Sequence, residues 1–206
     1  MNFHHLFTGV EKHKVVHQPY PEVADFRTFF FDHRHQKAMD LHKDVIDDIT
    51  WVPKKKATKK ETLSLTLVRH GETDWNKEER IQGCSADRSI TAEGRAQAQH
   101  LAASLHPEDF DIVVCSDLKR AHETAEIIAG ILKKKLLVLP ILREQDLGDW
   151  DGKTVKEITA LHPEYGDFLK DEAAVPNGEH REAFLKRIRT ARTQLLKQFA
   201  GKHVLA

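Results

Sequence analysis

The stretch LSLTLVRHGETDWN, residues 63–76, decides how the rest of this chain is read. Its first six residues, LSLTLV, form a short apolar-rich run that predicts a buried strand. The strand leads directly into Arg69, His70 and Gly71. A cation and an imidazole thus sit at the strand's carboxyl end, where open α/β sheets build their sites. Gly71 lets the backbone approach a ligand closely. A neutral imidazole is a competent covalent nucleophile. A guanidinium beside it supplies planar, bidentate donors that match phosphate oxygens. An Arg-His dipeptide by itself is commonplace, so the weight falls on the residues downstream of it.

Beyond this stretch, strand and helix signals alternate. Thr91–Leu105 reads as a helix capped by Thr91, with Glu93 in its first turn. DIVVCS (111–116) reads as a second strand, and Asp117–Ala129 as a helix stopped by Gly130. LLVLP (136–140) is a third strand, ended by its proline. Thr154–Leu161 and Glu179–Phe199 are further helices, and HVLA (203–206) looks like the start of another strand. This alternation predicts an α/β fold with a mostly parallel sheet and helices on both faces.

Composition narrows the function classes. The 206 residues carry 32 basic and 32 acidic side chains, a formal net charge of zero. That balance gives no general pull towards nucleic acid or an anionic membrane surface. No run is long enough to span a bilayer. Glu11, Lys12 and Lys14 interrupt the first apolar stretch, so the N-terminus shows no uninterrupted core of signal-peptide type. Cys84 and Cys115 are the two cysteines, too few for a disulfide scaffold, so a reducing cytoplasmic setting is the default.

Residues 1–60 differ from the remainder and read as a His-rich N-terminal extension. They hold seven of the 14 histidines, an aromatic run at Phe29–Phe31, and the basic stretch PKKKATKK at 53–60. Like charges keep such a stretch extended, which makes it a linker; a nuclear-localisation patch is the alternative. His33 and His35 lack companion ligands at metal-binding spacing and read as surface histidines, and no metal site is expected. Leu41, Val45, Ile46 and Ile49 fit one face of a short amphipathic helix.

LVRHGETDWN (67–76) is followed by ERIQG (79–83), ITAEGRAQA (90–98), SDLKRAHETA (116–125) and LREQDLGDWDG (142–152). In this order and spacing, the five pieces resemble the histidine phosphatase, or phosphoglycerate mutase-like, superfamily over residues 61–206. The resemblance implies roles. His70 is the nucleophile that becomes phosphohistidine. Arg69 and Arg120 clamp the phosphoryl oxygens, and Asn76 donates a further hydrogen bond. Gln82 and Gly83 line the same pocket. Glu144 protonates the leaving alkoxide and then activates water. The chemistry is consistent, because phosphoryl transfer depends on positioning and on cationic stabilisation of spreading charge. A carboxyl group beside a dianionic substrate favours its protonated form, which suits a proton donor. The implied cofactor is none, and the implied partner is a small phosphorylated substrate.

Within that family, residues 145–152 look like the phosphatase branch, so hydrolysis of small phosphate monoesters is expected. Mutase activity is one alternative, and a catalytically impaired phosphate-binding relative is another. PNGE at 176–179 resembles the family's P-x-G-E-S, with His180 in place of the serine. Asp87–Thr91 lacks the family's proline, which loosens that turn. The family's second catalytic histidine follows a strand that starts like HVLA, and this sequence ends at Ala206. His203 does not match that histidine. The missing strand belongs between those at 63–68 and 111–116. A fragment of a longer protein is the first explanation, a truncated inactive relative the second, and filling of the gap by FRTFFF (26–31) the third.

Overall fold

The structure, a computed structural model, describes residues 62–85, 87–161 and 175–206, together with the backbone of strand Val23–Phe29. The basic stretch 53–60, the His33/His35 pair and the helix read at 38–49 lie outside the described residues.

The sheet contains β1 (Val23–Phe29), β2 (Leu63–Val68), β3 (Ile112–Cys115), β4 (Leu136–Val138) and β5 (His203–Leu205), in the spatial order β1-β2-β5-β3-β4. Every strand pairing in it is parallel. The helices between strands are α1 (Asp74–Lys77), α2 (Ala92–Ser104), α3 (Lys119–Leu132), α4 (Val155–Leu161) and α5 (Arg181–Gln198). This is the α/β arrangement expected from the alternation.

Side-chain alternation along the strands separates two cores. Val113, Cys115 and Leu205 face α2 and α3, packing with Leu101, Ala102, Ile128 and Leu132. Val114 and Val204 point the other way, with Leu63, towards Leu195 and Phe199 at the end of α5. Helices therefore cover both faces, as a sheet buried on both sides requires. The thiol of Cys115 lies within the first core, where burial pushes it up to about 11. Both cysteines are free thiols.

Three expectations change in detail. The helix read as stopping at Gly130 runs on to Leu132, and Lys133 closes it in the left-handed conformation. Continuing the helix buries Leu132, which outweighs a glycine in the last turn. The position between β2 and β3 is not vacant, because β5 occupies it. The segment at 26–31 does not fill that gap; its strand β1 lies on the outer side of β2. The sheet therefore takes in a strand from the stretch read as an extension.

β5 is short, yet its backbone is tied at both ends. Ser64 N donates to Lys202 O, Ala206 N donates to Thr66 O, and Val68 N donates to Ala206 O, at 2.9, 2.8 and 2.6 Å. Asp111 adds a side-chain clamp. Its carboxylate accepts from His203 N at 2.8 Å and from Lys202 Nζ at 3.2 Å. Donation from the His203 backbone, helped by Lys202, holds the Asp111 carboxyl below its ordinary value. A depressed folded value gives stability that is complete above the unfolded value of 3.8 and is lost as pH falls through the folded one. Asp111→Asn should therefore cost on the order of 0.5 kcal/mol at neutral pH, the size of an exposed interaction. Urea unfolding at neutral and acid pH checks this: the gap to the parent chain should close in acid.

Candidate active site

The candidate residues gather at the carboxyl edge of the sheet. Arg69 and His70 follow β2 immediately and are half-buried. His70 Nδ1 lies 2.8 Å from Gly71 O. A carbonyl only accepts, so Nδ1 carries the proton and a neutral ring presents its lone pair at Nε2. The turn at Gly71 is held from two sides. Gly71 N donates to Thr124 Oγ1 at 2.9 Å. On the other side Gly71 abuts the first turn of α2, where a Cβ would lie 2.5 Å from Gly94 O. Thr91 caps that helix by accepting from Gly94 N, as its sequence predicts.

Arg120 stands in the first turn of α3 and is only 2% exposed. Its Nη2 donates to Gly83 O at 3.1 Å. Burial pulls the guanidinium below its ordinary value, and the carboxylates of Glu144, Asp151 and Asp87 oppose that shift. Glu144 is itself buried, on the loop after β4, with Oε1 accepting from Gln145 N at 2.9 Å. Arg143 does not pair with Glu144. It makes a two-point ion pair with Asp117, which holds the Asp117 carboxyl below its ordinary value and the guanidinium above its own.

Gly83 is the meeting point of these loops. Its N–H donates to the Asp151 carboxylate, which also accepts from the Ser85 hydroxyl. The next amide, Cys84 N, donates to Gln145 O at 3.0 Å. A side chain at Gly83 would meet Gln145 O at 2.7 Å. Cys84 lies in this shell, and burial, followed by the charges of Asp146 and Asp151, raises its thiol.

Asn76 and Gln82 are organised by the fully buried Thr73. Thr73 N donates to Asn76 Oδ1 at 2.9 Å, and Thr73 Oγ1 donates its one hydrogen to Gln82 Oε1 at 2.8 Å. Asn76 also completes a capping box on α1, so it does serve the turn. With both amide oxygens turned to Thr73, the NH2 ends point away from it, which is the polarity an anion requires.

Hydrogen bonds thus tie the His70–Gly71 turn, Arg120 and Gly83 together, the Glu144 charge acts on the same guanidinium, and Arg69 adjoins His70 at the end of β2. His203 stands apart: its ring contacts Thr66 Oγ1 at 2.9 Å and lies 4.6 Å from the ring of Phe110. The turn at 87–91, read as loosened, is anchored by Lys119 N donating to Asp87 and by Ile90 N donating to Glu123. Thr73, Thr124 and Asp151 were not singled out in the sequence. All three lie within the quoted motifs, but a buried threonine or a loop aspartate carries no signal of its own partner. Among the described residues there is no cluster of three or more potential metal ligands and no helix long and apolar enough to cross a membrane.

A family model described as histidine phosphatase superfamily (branch 1) matches residues 65–206. The chain is 34% identical over 146 residues to a protein named probable phosphoglycerate mutase GpmB from Enterobacter sp. (strain 638), covering 69% of this chain and 67% of that one. It is 36% identical over 129 residues to adenosylcobalamin/alpha-ribazole phosphatase of Escherichia coli (strain K12), covering 61% of this chain and 63% of the relative. Among solved structures, Bacillus stearothermophilus YhfR superposes with a TM-score of 0.63 at 35% identity, over 70% of this chain and 72% of that one. A mycobacterial glucosyl-3-phosphoglycerate phosphatase complexed with VO3 gives a TM-score of 0.59 at 32% identity, over 68% and 72%.

The two extremes of glycine environment give a paired test. Gly71→Ala places a methyl against backbone atoms that cannot yield, and should cost about 2–3 kcal/mol. Gly130 has open space around its Cβ position, so Gly130→Ala should gain up to about 1 kcal/mol in the last turn of α3. Thermal or urea unfolding of the two variants beside the parent measures both.

Proposed function

Because the chain belongs to the histidine phosphatase superfamily (branch 1), we propose that it hydrolyses small phosphate monoesters through a phosphohistidine at His70. The observation that carries this reading is the buried Arg120, whose guanidinium bonds Gly83 O and faces Glu144 and whose carbonyl is linked through Thr124 to the His70–Gly71 turn. A buried cation at the mouth of a parallel sheet, beside an imidazole, suits a phosphoryl group better than any neutral ligand.

In the first step Nε2 of neutral His70 attacks phosphorus. A nitrogen–phosphorus bond forms while the ester oxygen–phosphorus bond breaks. Arg69 and Arg120 counter the charge on the equatorial oxygens, with the amides of Asn76 and Gln82 as neutral donors. The Glu144 carboxyl gives its proton to the departing alkoxide. In the second step the Glu144 carboxylate takes a proton from water, the oxygen attacks phosphorus, and the nitrogen–phosphorus bond breaks. Inorganic phosphate leaves and His70 is neutral again. The cationic groups are arginines throughout, so the proposal needs no metal.

Relatives named for phosphatase action on alpha-ribazole and glucosyl-3-phosphoglycerate esters support small phosphorylated metabolites as the substrate class. Two free thiols, one of them buried, support work in a reducing compartment such as the cytoplasm. The likeness to proteins named probable phosphoglycerate mutase favours a second reading, in which the phosphoryl group passes to another substrate hydroxyl instead of water.

The test is hydrolysis of an aryl phosphate by this chain with EDTA present, beside His70→Ala. Turnover should survive EDTA and vanish in His70→Ala, and rapid quench should trap an acid-labile phosphoprotein in the parent alone. Absence of turnover from folded protein would overturn the hydrolase reading. Isomerised phosphoglycerate without released phosphate would select the mutase instead.

A further inference from the structure

We infer that Arg187 on α5 is a positioning residue for Glu144, setting the geometry of the proton donor without touching substrate. This rests on the proposed acid role of Glu144. Arg187 stands 43 residues from Glu144, outside every motif that carries the resemblance, yet its guanidinium is spent on the loop that bears that carboxyl. Nη1 donates to Ile141 O at 3.1 Å and to Arg143 O at 2.7 Å. Nη2 donates to Glu144 O at 3.1 Å. Three backbone carbonyls within four residues are therefore gathered by one planar fork. A lysine's single ammonium cannot reproduce that fork.

The fork is itself aimed. Glu179 takes Nε at 2.9 Å on one oxygen and Nη2 at 2.7 Å on the other, a bidentate pair that fixes the guanidinium plane. The ring of Phe184, one turn earlier on α5, lies beneath it at 5.1 Å. Glu179 is in turn fixed to the far side of the same loop. Its N–H donates to Asp146 O at 2.8 Å, and its carbonyl accepts from Gln145 Nε2 at 2.9 Å. Residues 141–146 are thus clasped from both flanks, by Arg187 and by the backbone of Glu179. Glu144 Oε1 accepts from the Gln145 amide, so the carboxyl's orientation follows the backbone that these groups hold.

A proton donor must lie within hydrogen-bond reach of the leaving oxygen, and small displacements are costly. The demand for that proton depends on the leaving group. An alkoxide needs it, whereas an activated phenolate departs without it. A misplaced Glu144 therefore slows alkyl phosphates selectively. A general loosening of the fold slows both classes alike.

The experiment compares Arg187→Lys and Glu179→Gln with the parent, using an alkyl phosphate and dinitrophenyl phosphate, alongside peptide-resolved amide exchange. For the alkyl ester, kcat should fall about tenfold or more in Arg187→Lys, while the activated ester loses less than about threefold. Glu179→Gln should show the same selectivity, less strongly. Amide exchange should quicken at 141–149 and stay unchanged over β2, β3 and α3. Equal losses on both esters, or unaltered exchange at 141–149, would overturn the inference. If the parent turns over neither ester, the hydrolase reading fails. The exchange data then decide alone whether Arg187 holds this loop.

Discussion

The burial of the Arg120 guanidinium is the constraint around which the candidate active edge is organised. A cation taken out of water must find charge and acceptors nearby, or its desolvation would unfold the region. Two loops answer that demand, and a third is tied to the same residue through its backbone. The first supplies Gly83 O directly to the side chain. The second supplies the carboxylates of Glu144 and Asp151, whose charges oppose the effect of burial. The third is reached through Arg120's own carbonyl, which accepts from Thr124 Oγ1 while that oxygen accepts from Gly71 N. One residue therefore couples the His70 turn, the Gly83 turn and the Glu144 loop, which are far apart in sequence.

The same arrangement has a chemical consequence. In the proposed reaction a phosphate dianion arriving at the buried guanidinium would also meet Glu144, and two anions at close range repel. Protonating Glu144 would remove the repulsion and create a donor, so in the proposed reaction binding and acid catalysis draw on one event. Asp151 does not compete for that role. Its carboxylate is held by the Gly83 amide and the Ser85 hydroxyl, which fix it in place. Two carboxylates near one cation thus have different surroundings: Asp151 braces the Gly83 turn, and Glu144 is the proposed acid.

Much of this was legible in the sequence, for identifiable reasons. The strands at 63–68 and 112–115 announce themselves because each is a short apolar run feeding a turn, and Thr91 announces a helix because a hydroxyl there can satisfy Gly94 N. The helix end at Gly130 misleads because local propensity is weak against the burial of Leu132 two residues on. The place of β5 was misjudged for a different reason. HVLA looks too short to count as a full strand, but a central parallel position supplies hydrogen bonds on both sides, so three residues suffice. Arg187 was invisible because its partners are backbone carbonyls, and a carbonyl has no sequence signature.

The parallel sheet explains why these long-range partners exist at all. Every strand delivers its carboxyl end to one edge, so several candidate residues there, Arg69, His70, Gln82, Gly83 and Glu144, sit on irregular backbone that no ladder supports. Such backbone must be satisfied by side chains from elsewhere. Thr73, Thr124, Asp151 and Arg187 are those side chains, and each binds a main-chain group of a candidate residue or its neighbour. A substitution at any of them leaves the reacting groups chemically intact and removes what aims them. In this chain the reach of the candidate edge therefore extends one layer beyond the residues proposed to meet a phosphate, and its outermost member lies on α5, the helix that covers the opposite core.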